Sequence, residues 1–486
     1  MSDTEHRVTR RALLLRAAAG ATASMIAANV RTTVASAAPS PPTTRNQPAT
    51  ATASSSSPRR ASDDGAGNES GSDMPAGWFD LALTLVRTTP GFSPPVAARA
   101  FAYLGITANE AIAGCVEGTR SLAGSLPGLT KPARLAGTRD ERSSPGPAAV
   151  NAALARVVRR LFPTTAPANL AAIDALETSL AQQPRGARSS IAIDRAVRRG
   201  QRVADHVFEW SIADGGHDRF ARNFPTDYVP PTGLGLWVAT PPAFQRALQP
   251  TWGTNRCMVI GAGNAIQPGA PTPFSLDPAS PFFDQAMEVF DTVNTPTDEQ
   301  RAVALFWSDD PGATATPPGH WISIATQVLR SERASLAIAA KAYAAVGIAV
   351  NDAFVSCWSA KYRFNLLRPV TFVQRVIEPT WLPLLTTPPF PEHPSGHSVQ
   401  SAAAAAVLTE LFGDGYAFDD HTHDRRGLLP RSFASFDDAA AEAAVSRLYG
   451  GIHFRPAVEL GMEQGRAIGA AVNALVRDER DEHDDA

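Results

Sequence analysis

Cysteine, tyrosine and surplus charge are all scarce in this chain. Three cysteines in 486 residues, Cys115, Cys257 and Cys357, exclude a disulfide scaffold and show no metal-binding spacing. At most one disulfide could form among them, and Cys357 lies in an apolar helical stretch suited to a free buried thiol. Tyrosine occurs only six times, and β-branched residues never form long alternating runs, so a sandwich or barrel is excluded. A net charge of −3 leaves no basic surface for nucleic acid and none for an anionic membrane. No membrane span is expected either. The most apolar segment, 334–358, is interrupted by Lys341, Asn351 and Asp352 and reads as a core helix.

What remains is alanine-rich helical sequence separated by proline-rich loops. Forty prolines in 486 residues imply many connections, and the chain is long enough for one large core or two lobes. The pattern predicts an all-α fold. Helices are expected over 78–88, 95–116, 147–161, 166–183, 190–214, 282–293, 298–307, 321–330, 335–362, 395–412, 437–449 and 456–480, with long loops over 215–275. The N-terminus stands apart. Thr9-Arg10-Arg11-Ala12-Leu13-Leu14, an Ala-rich stretch and Ala35-Ser36-Ala37 have the order of a twin-arginine export signal with a cleavage site before Ala38. Residues 1–37 are thus expected to be a signal peptide, which implies an exported protein. Residues 38–74 have the composition of a disordered linker, and 75–486 form the helical catalytic domain.

Three short segments carry the chemistry: Lys361 to Pro369 (KYRFNLLRP), Pro394 to His397 (PSGH) and Ser446 to His453 (SRLYGGIH). They contain Lys361, Arg368 and Arg447, the hydroxyl of Ser395, the Gly396 N–H, and His397 and His453, and no acidic residue. Such donors suit a tetrahedral or trigonal-bipyramidal oxyanion, phosphate or vanadate. One histidine can bond the central atom while the other moves protons. Lys361 and Arg368 are seven residues apart, which on a continuous helix places both on one face, with Trp358 beside Lys361. Ser395 precedes an Ala-rich run and reads as an N-cap, so Gly396 and His397 fall in a helix first turn, where N–H groups favour an anion.

The three segments, in this order and spacing, resemble the vanadium-dependent haloperoxidase and type-2 phosphatidic acid phosphatase superfamily. Further segments resemble its bacterial haloperoxidase branch: TTPGFSPPVAARAFAYLGITANEA from Thr88, FWSDDPG from Phe306, PPGHW from Pro317 and PPFPEHPSGH from Pro388. The resemblance covers roughly residues 75–477. It implies two four-helix bundles with the site inside one of them. It also implies vanadate as cofactor, which phosphate can replace, and neither haem nor flavin. His453 would bond vanadium, and Lys361, Arg368, Arg447, Ser395 and Gly396 would hold its oxygens. His397 would take a proton from hydrogen peroxide and Lys361 would polarise the peroxide. Trp358 and Phe390 would wall a halide pocket, and a small organic acceptor would take the oxidised halogen.

Two other functions fit the same donors. An acid phosphatase would form a phosphohistidine at His453, with His397 protonating the leaving alkoxide. An exported protein that only sequesters an oxyanion would need the donors but not two histidines. The superfamily often has Asp four residues after the second histidine, where this chain has Ala457. That absence is expected to weaken His453 more as a nucleophile than as a ligand. The run Asp419 to Asp424, with His421 and His423, has metal-ligating residue types on a loop with no expected scaffold, so no specific ion is expected there. His320, Asp309 and Asp310 fall in the family-like segments without an assignable role.

Overall fold

A computed structural model describes residues 71–133, 145–183 and 189–477. The export-signal segment, and the linker up to residue 70, lie outside the described residues. The described residues belong to one compact unit, 65–486. The first helix already begins at Asp73, with Ser72 and Met74 buried, so the last residues assigned to the linker are part of the fold.

The chain is all-α. Thirteen helices among the described residues are α1 (Asp73–Thr88), α2 (Pro94–Ile112), α3 (Gly146–Leu161), α4 (Pro167–Gln182), α5 (Ser190–Ile212), α6 (Pro281–Asn294), α7 (Asp298–Phe306), α8 (Thr316–Ser331), α9 (Leu336–Phe364), α10 (Pro369–Val376), α11 (Gly396–Phe412), α12 (Phe436–Tyr449) and α13 (Arg455–Val476). The long 213–280 stretch carries only two short 3₁₀ turns, as its Gly and Pro content predicts. A small antiparallel ribbon, β1 (Phe418–Asp420) with β2 (Arg431–Phe433), was not predicted, since three-residue strands are too short to show a period. Helix α8 starts earlier than expected because Pro317 and Pro318 occupy its first turn, where a missing N–H costs nothing.

Helices α1–α5 pack among themselves, and α8, α9, α11, α12 and α13 do the same. The two groups share one continuous apolar core because α9 lies directly on α2. Small residues permit that approach. A Cβ on Gly105 would stand 2.3 Å from the Tyr343 carbonyl oxygen, and one on Gly347 would stand 2.8 Å from the Ala102 Cα. Helix α9 has 29 residues, is capped by the Ser335 hydroxyl, and ends where Asn365 turns left-handed at φ 51°. It is long and apolar enough to cross a membrane, yet 89 % of its apolar window is buried inside the protein, as expected of a core helix. Cys257 and Cys357 are buried free thiols.

Candidate oxyanion site

The segment Pro388-Pro389-Phe390-Pro391-Glu392-His393-Pro394 is rich in carbonyls and poor in N–H donors, so its backbone needs outside partners. Two cations supply them. Lys361, at the end of α9, donates to the carbonyls of Pro391 (2.9 Å), Glu392 (2.9 Å) and Pro394 (2.5 Å). Arg368 Nε donates to the Phe390 carbonyl (2.8 Å) and Nη1 to the Ile452 carbonyl (2.7 Å). The Phe390 ring lies 4.9 Å from Lys361 Nζ and 4.8 Å from the Arg368 guanidinium. The two cations therefore lock the turn that leads into α11.

Two sequence expectations change here. Lys361 and Arg368 do not share a helical face. Helix α9 stops at Phe364, Asn365 reverses the chain, and Arg368 sits extended at the start of α10 because Pro369 disfavours a helical residue before it. They converge through the Phe390–Pro394 turn instead. Lys361 was also expected to hold the anion's oxygens, but its three hydrogens are committed to three carbonyls. It is a buried charge fastening the turn, rather than an unpaired donor.

Above this base lie the remaining donors. The Ser395 hydroxyl accepts from Ser398 N–H (3.3 Å), as expected of an N-cap, and Ser395 N–H donates to the Ala457 carbonyl (2.9 Å). The first-turn N–H groups of Gly396 and His397 have no partner within the helix. Arg447 is buried near the end of α12, its Nε donating to Ser446 Oγ (3.1 Å) and its Nη2 to the Ala304 carbonyl (3.2 Å). Arg368 Nη2 is buried and unpaired, and Nη1 stands 3.2 Å from His453 Nε2. A pocket of about 640 Å³ opens over Gly396, His397, Arg447 and His453, and Trp358, Phe390, Leu248 and Phe354 form part of its apolar wall. Trp358 and Phe390 touch at 4.9 Å between centroids. The Trp358 indole N–H is taken by the Leu248 carbonyl (3.2 Å), so this wall offers ring surfaces and no free donor. Arg363 points outward and takes no part.

The three segments contain no acid, but the structure brings one to them in Glu392. Its carboxylate is fully buried, and Oε1 accepts from Phe454 N–H (2.8 Å) and from His453 Nδ1–H (2.9 Å). The carboxylate missing at Ala457 thus comes from a different strand of chain. Oε2 is buried without a partner, and this desolvation pushes Glu392 up to about 7, against the pull of Arg368 and Lys361. Glu392 lies inside PPFPEHPSGH, but only the tertiary crossing of that turn over the Gly450–Phe454 loop shows its partner.

Electrostatics follow from packing three cations into a buried space. Burial pushes Lys361 down to about 7, with Arg368 adding to the effect, and lowers Arg368 and Arg447 to about 10. Burial, together with Arg368, Lys361 and Arg447, holds His453 well below the usual imidazole range. Its Nδ1–H is on Glu392, so Nε2 is unprotonated and its lone pair faces Arg368 Nη1. His397 is likewise held neutral by burial and by Arg447, and its Nε2 has no partner. The Trp307 carbonyl and Asp309 pull the other way. Asp309 and Asp310, which sequence left without roles, line the same pocket and balance Arg447.

The 419–424 run also departs from expectation. His421 and Asp424 are exposed and pair with each other (3.0 Å), but Asp420 and His423 turn inward and are buried with His320 and Asp309. The scaffold that the sequence did not reveal is β1, whose last residue is Asp420.

The profile of one family, the VCPO second helical-bundle domain, matches residues 341–482. No curated protein matches the chain. Among solved structures, a bacterial vanadium-dependent iodoperoxidase is 34 % identical, with 86 % of this chain and 100 % of that one covered and a TM-score of 0.76. A bacterial vanadium-dependent chloroperoxidase in its holo form is 17 % identical, over 80 % of this chain and 93 % of that one, with a TM-score of 0.62. Its apo form is also 17 % identical, over 80 % and 94 %, with a TM-score of 0.61. At that identity the chloroperoxidase shares the fold.

Proposed function

Because the chain belongs to the vanadium-dependent haloperoxidase family, we propose that it holds vanadate at His453 and oxidises halide with hydrogen peroxide. The observation that carries this reading is the state of His453. It is neutral, its Nδ1–H is fixed on Glu392, and its unprotonated Nε2 faces Arg368 Nη1 at 3.2 Å, with Arg447 and Lys361 also acting on the ring. That is the state needed to bond the central atom of an oxyanion. Vanadate fits the rest of the inventory: Arg368 Nη2, Arg447, the Ser395 hydroxyl and the first-turn N–H groups are donors suited to its oxygens, and its charge relieves the buried cations. When bound, vanadate would supply a Lewis-acid centre that activates peroxide toward halide without changing oxidation state.

The protein residues divide the remaining work. Arg368 and Arg447 orient the anion. Lys361 keeps the Phe390–Pro394 turn in place and holds a positive charge beside it. His397 accepts a proton at Nε2 from incoming hydrogen peroxide and returns it when water leaves. The Trp358 and Phe390 rings give halide a poorly hydrated wall near the cations. A small organic acceptor reaches the oxidised halogen through the same pocket. Iodide is the first halide to test, since the 34 % identical relative is an iodoperoxidase.

A second reading rests on Glu392. It supplies the orienting carboxylate that Ala457 lacks, so His453 Nε2 is also placed to attack the phosphorus of an ester. That reaction needs His397 to donate a proton to the leaving oxygen, and a histidine held neutral serves better as an acceptor. Peroxide-dependent iodination or bromination of a dye at saturating vanadate, beside hydrolysis of a phosphate monoester by the vanadate-free protein, separates the two. Halide oxidation requiring both vanadate and peroxide, with slow ester hydrolysis, is expected. Rapid hydrolysis with no halide oxidation would reverse the two readings, and silence in both assays would leave an oxyanion-binding protein.

A further inference from the structure

Behind the loop that carries Trp307 lies a group of side chains of which only Asp309 also borders the oxyanion pocket. Asp309, His320, Asp420 and His423 are each 3 % exposed or less. They come from the 307–311 loop, α8, β1 and the turn after β1. His320 Nε2–H donates to Asp420 Oδ2 (2.7 Å), and His320 Nδ1 faces Asp309 Oδ2 at 2.8 Å. Asp420 is held in turn, its Oδ1 accepting from Thr422 N–H (2.9 Å) and from Gln327 Nε2 (3.4 Å). His423 Nε2 stands 3.3 Å from Asp309 Oδ1, but the two are misaligned, and both atoms remain buried without a hydrogen bond. An unpaired carboxylate oxygen and an unpaired imidazole nitrogen facing each other in the interior are costly for a protein that leaves them so.

One ligating atom from each of Asp309, His320 and His423 lies within 4.8 Å of the other two. We propose that these three residues bind one divalent transition-metal ion of the zinc, cobalt or manganese kind, with Asp420 orienting His320 from outside the coordination shell. Two imidazoles with a carboxylate form a nitrogen–oxygen set that favours these ions over magnesium or calcium. The Asp420–His320 bond is the arrangement that fixes a ligating histidine, with the proton on Nε2 and Nδ1 free for the metal. A divalent ion there gives Asp309 Oδ1 and His423 Nε2 a partner. A hollow of about 360 Å³, lined by Asp309, His320 and His423 and reaching exposed His421 and Asp424, is the route of entry. Trp307 stacks on the His320 ring at 4.3 Å. The ion would therefore tie the loop bearing the Trp307 carbonyl, which faces His397, to the β1–β2 ribbon.

The test uses the full chain, stripped with a chelator and free of vanadate. It is titrated with Zn²⁺ by calorimetry and with Co²⁺ by visible absorption. One equivalent should bind, with the ligand-field bands of nitrogen- and oxygen-bound Co²⁺ and a raised thermal midpoint. His423→Ala should weaken Zn²⁺ binding by at least about tenfold, and Asp420→Asn by roughly 10–100-fold. His421→Ala should leave binding unchanged. The wild-type titration decides even if His423→Ala does not fold, because no stoichiometric binding there overturns the proposal. Binding lost in His421→Ala but kept in His423→Ala would place the ion on the surface and overturn it equally.

Discussion

Glu392 shows how a single residue changes the reading of its neighbours. The spacing of the three segments identified His453, His397, Arg368, Arg447, Ser395 and Gly396, and the structure brings all of them to one place. The carboxylate beside His453 was not legible because it lies 61 positions from its partner and depends on how two loops cross. Lys361 and Arg368 were legible as site residues but not in their geometry. The Arg368-Pro369 pair was the sign that the helix could not continue, and the helical spacing overrode it. The buried cations give a prediction at this scale. Lys361 is lowered to about 7 in the anion-free protein, and an anion beside it restores a higher value. Above pH 7 the complex therefore holds a proton that the free protein lacks. Anion affinity is full below that pH and falls as pH rises through it, and the raised Glu392 acts in the same direction by gaining negative charge. Calorimetric titration with phosphate at pH 8.5, in two buffers of different protonation enthalpy, should show uptake of about one proton. No uptake would mean that Lys361 is not coupled to the anion.

At the scale of elements, most helices were legible because proline and glycine bracket alanine-rich runs. Helix α10 was missed because eight residues after Arg368-Pro369 are too few to show a period, and β1 and β2 were missed for the same reason. The contact between α9 and α2 was not legible at all, since a glycine in an apolar helix does not say what approaches it. The structure makes that contact testable. A methyl group on Gly105 would meet the Tyr343 carbonyl oxygen at 2.3 Å, backbone that cannot rotate away. Gly105→Ala should destabilise the protein by about 1–3 kcal/mol through overpacking, offset only slightly by its better helix propensity. A lowered thermal midpoint is the expected result. An unchanged or raised midpoint would show that α9 and α2 are less closely joined than described.

For the whole molecule, one continuous core built from two helix groups holds three buried cations against a carbonyl-rich turn, and this costs stability that an anion would restore. The chain's function depends on which anion does so and on how His453 meets it. The most direct measurement is calorimetric titration of the anion-free protein with vanadate, with and without phosphate, repeated on His453→Ala and His397→Ala. One vanadate per chain should bind, phosphate should compete for it, and His453→Ala should lose it. His397→Ala should keep it while its halide oxidation falls by roughly 10²- to 10⁴-fold. Vanadate binding that survives His453→Ala unchanged, or that is indifferent to phosphate, would contradict the site described here.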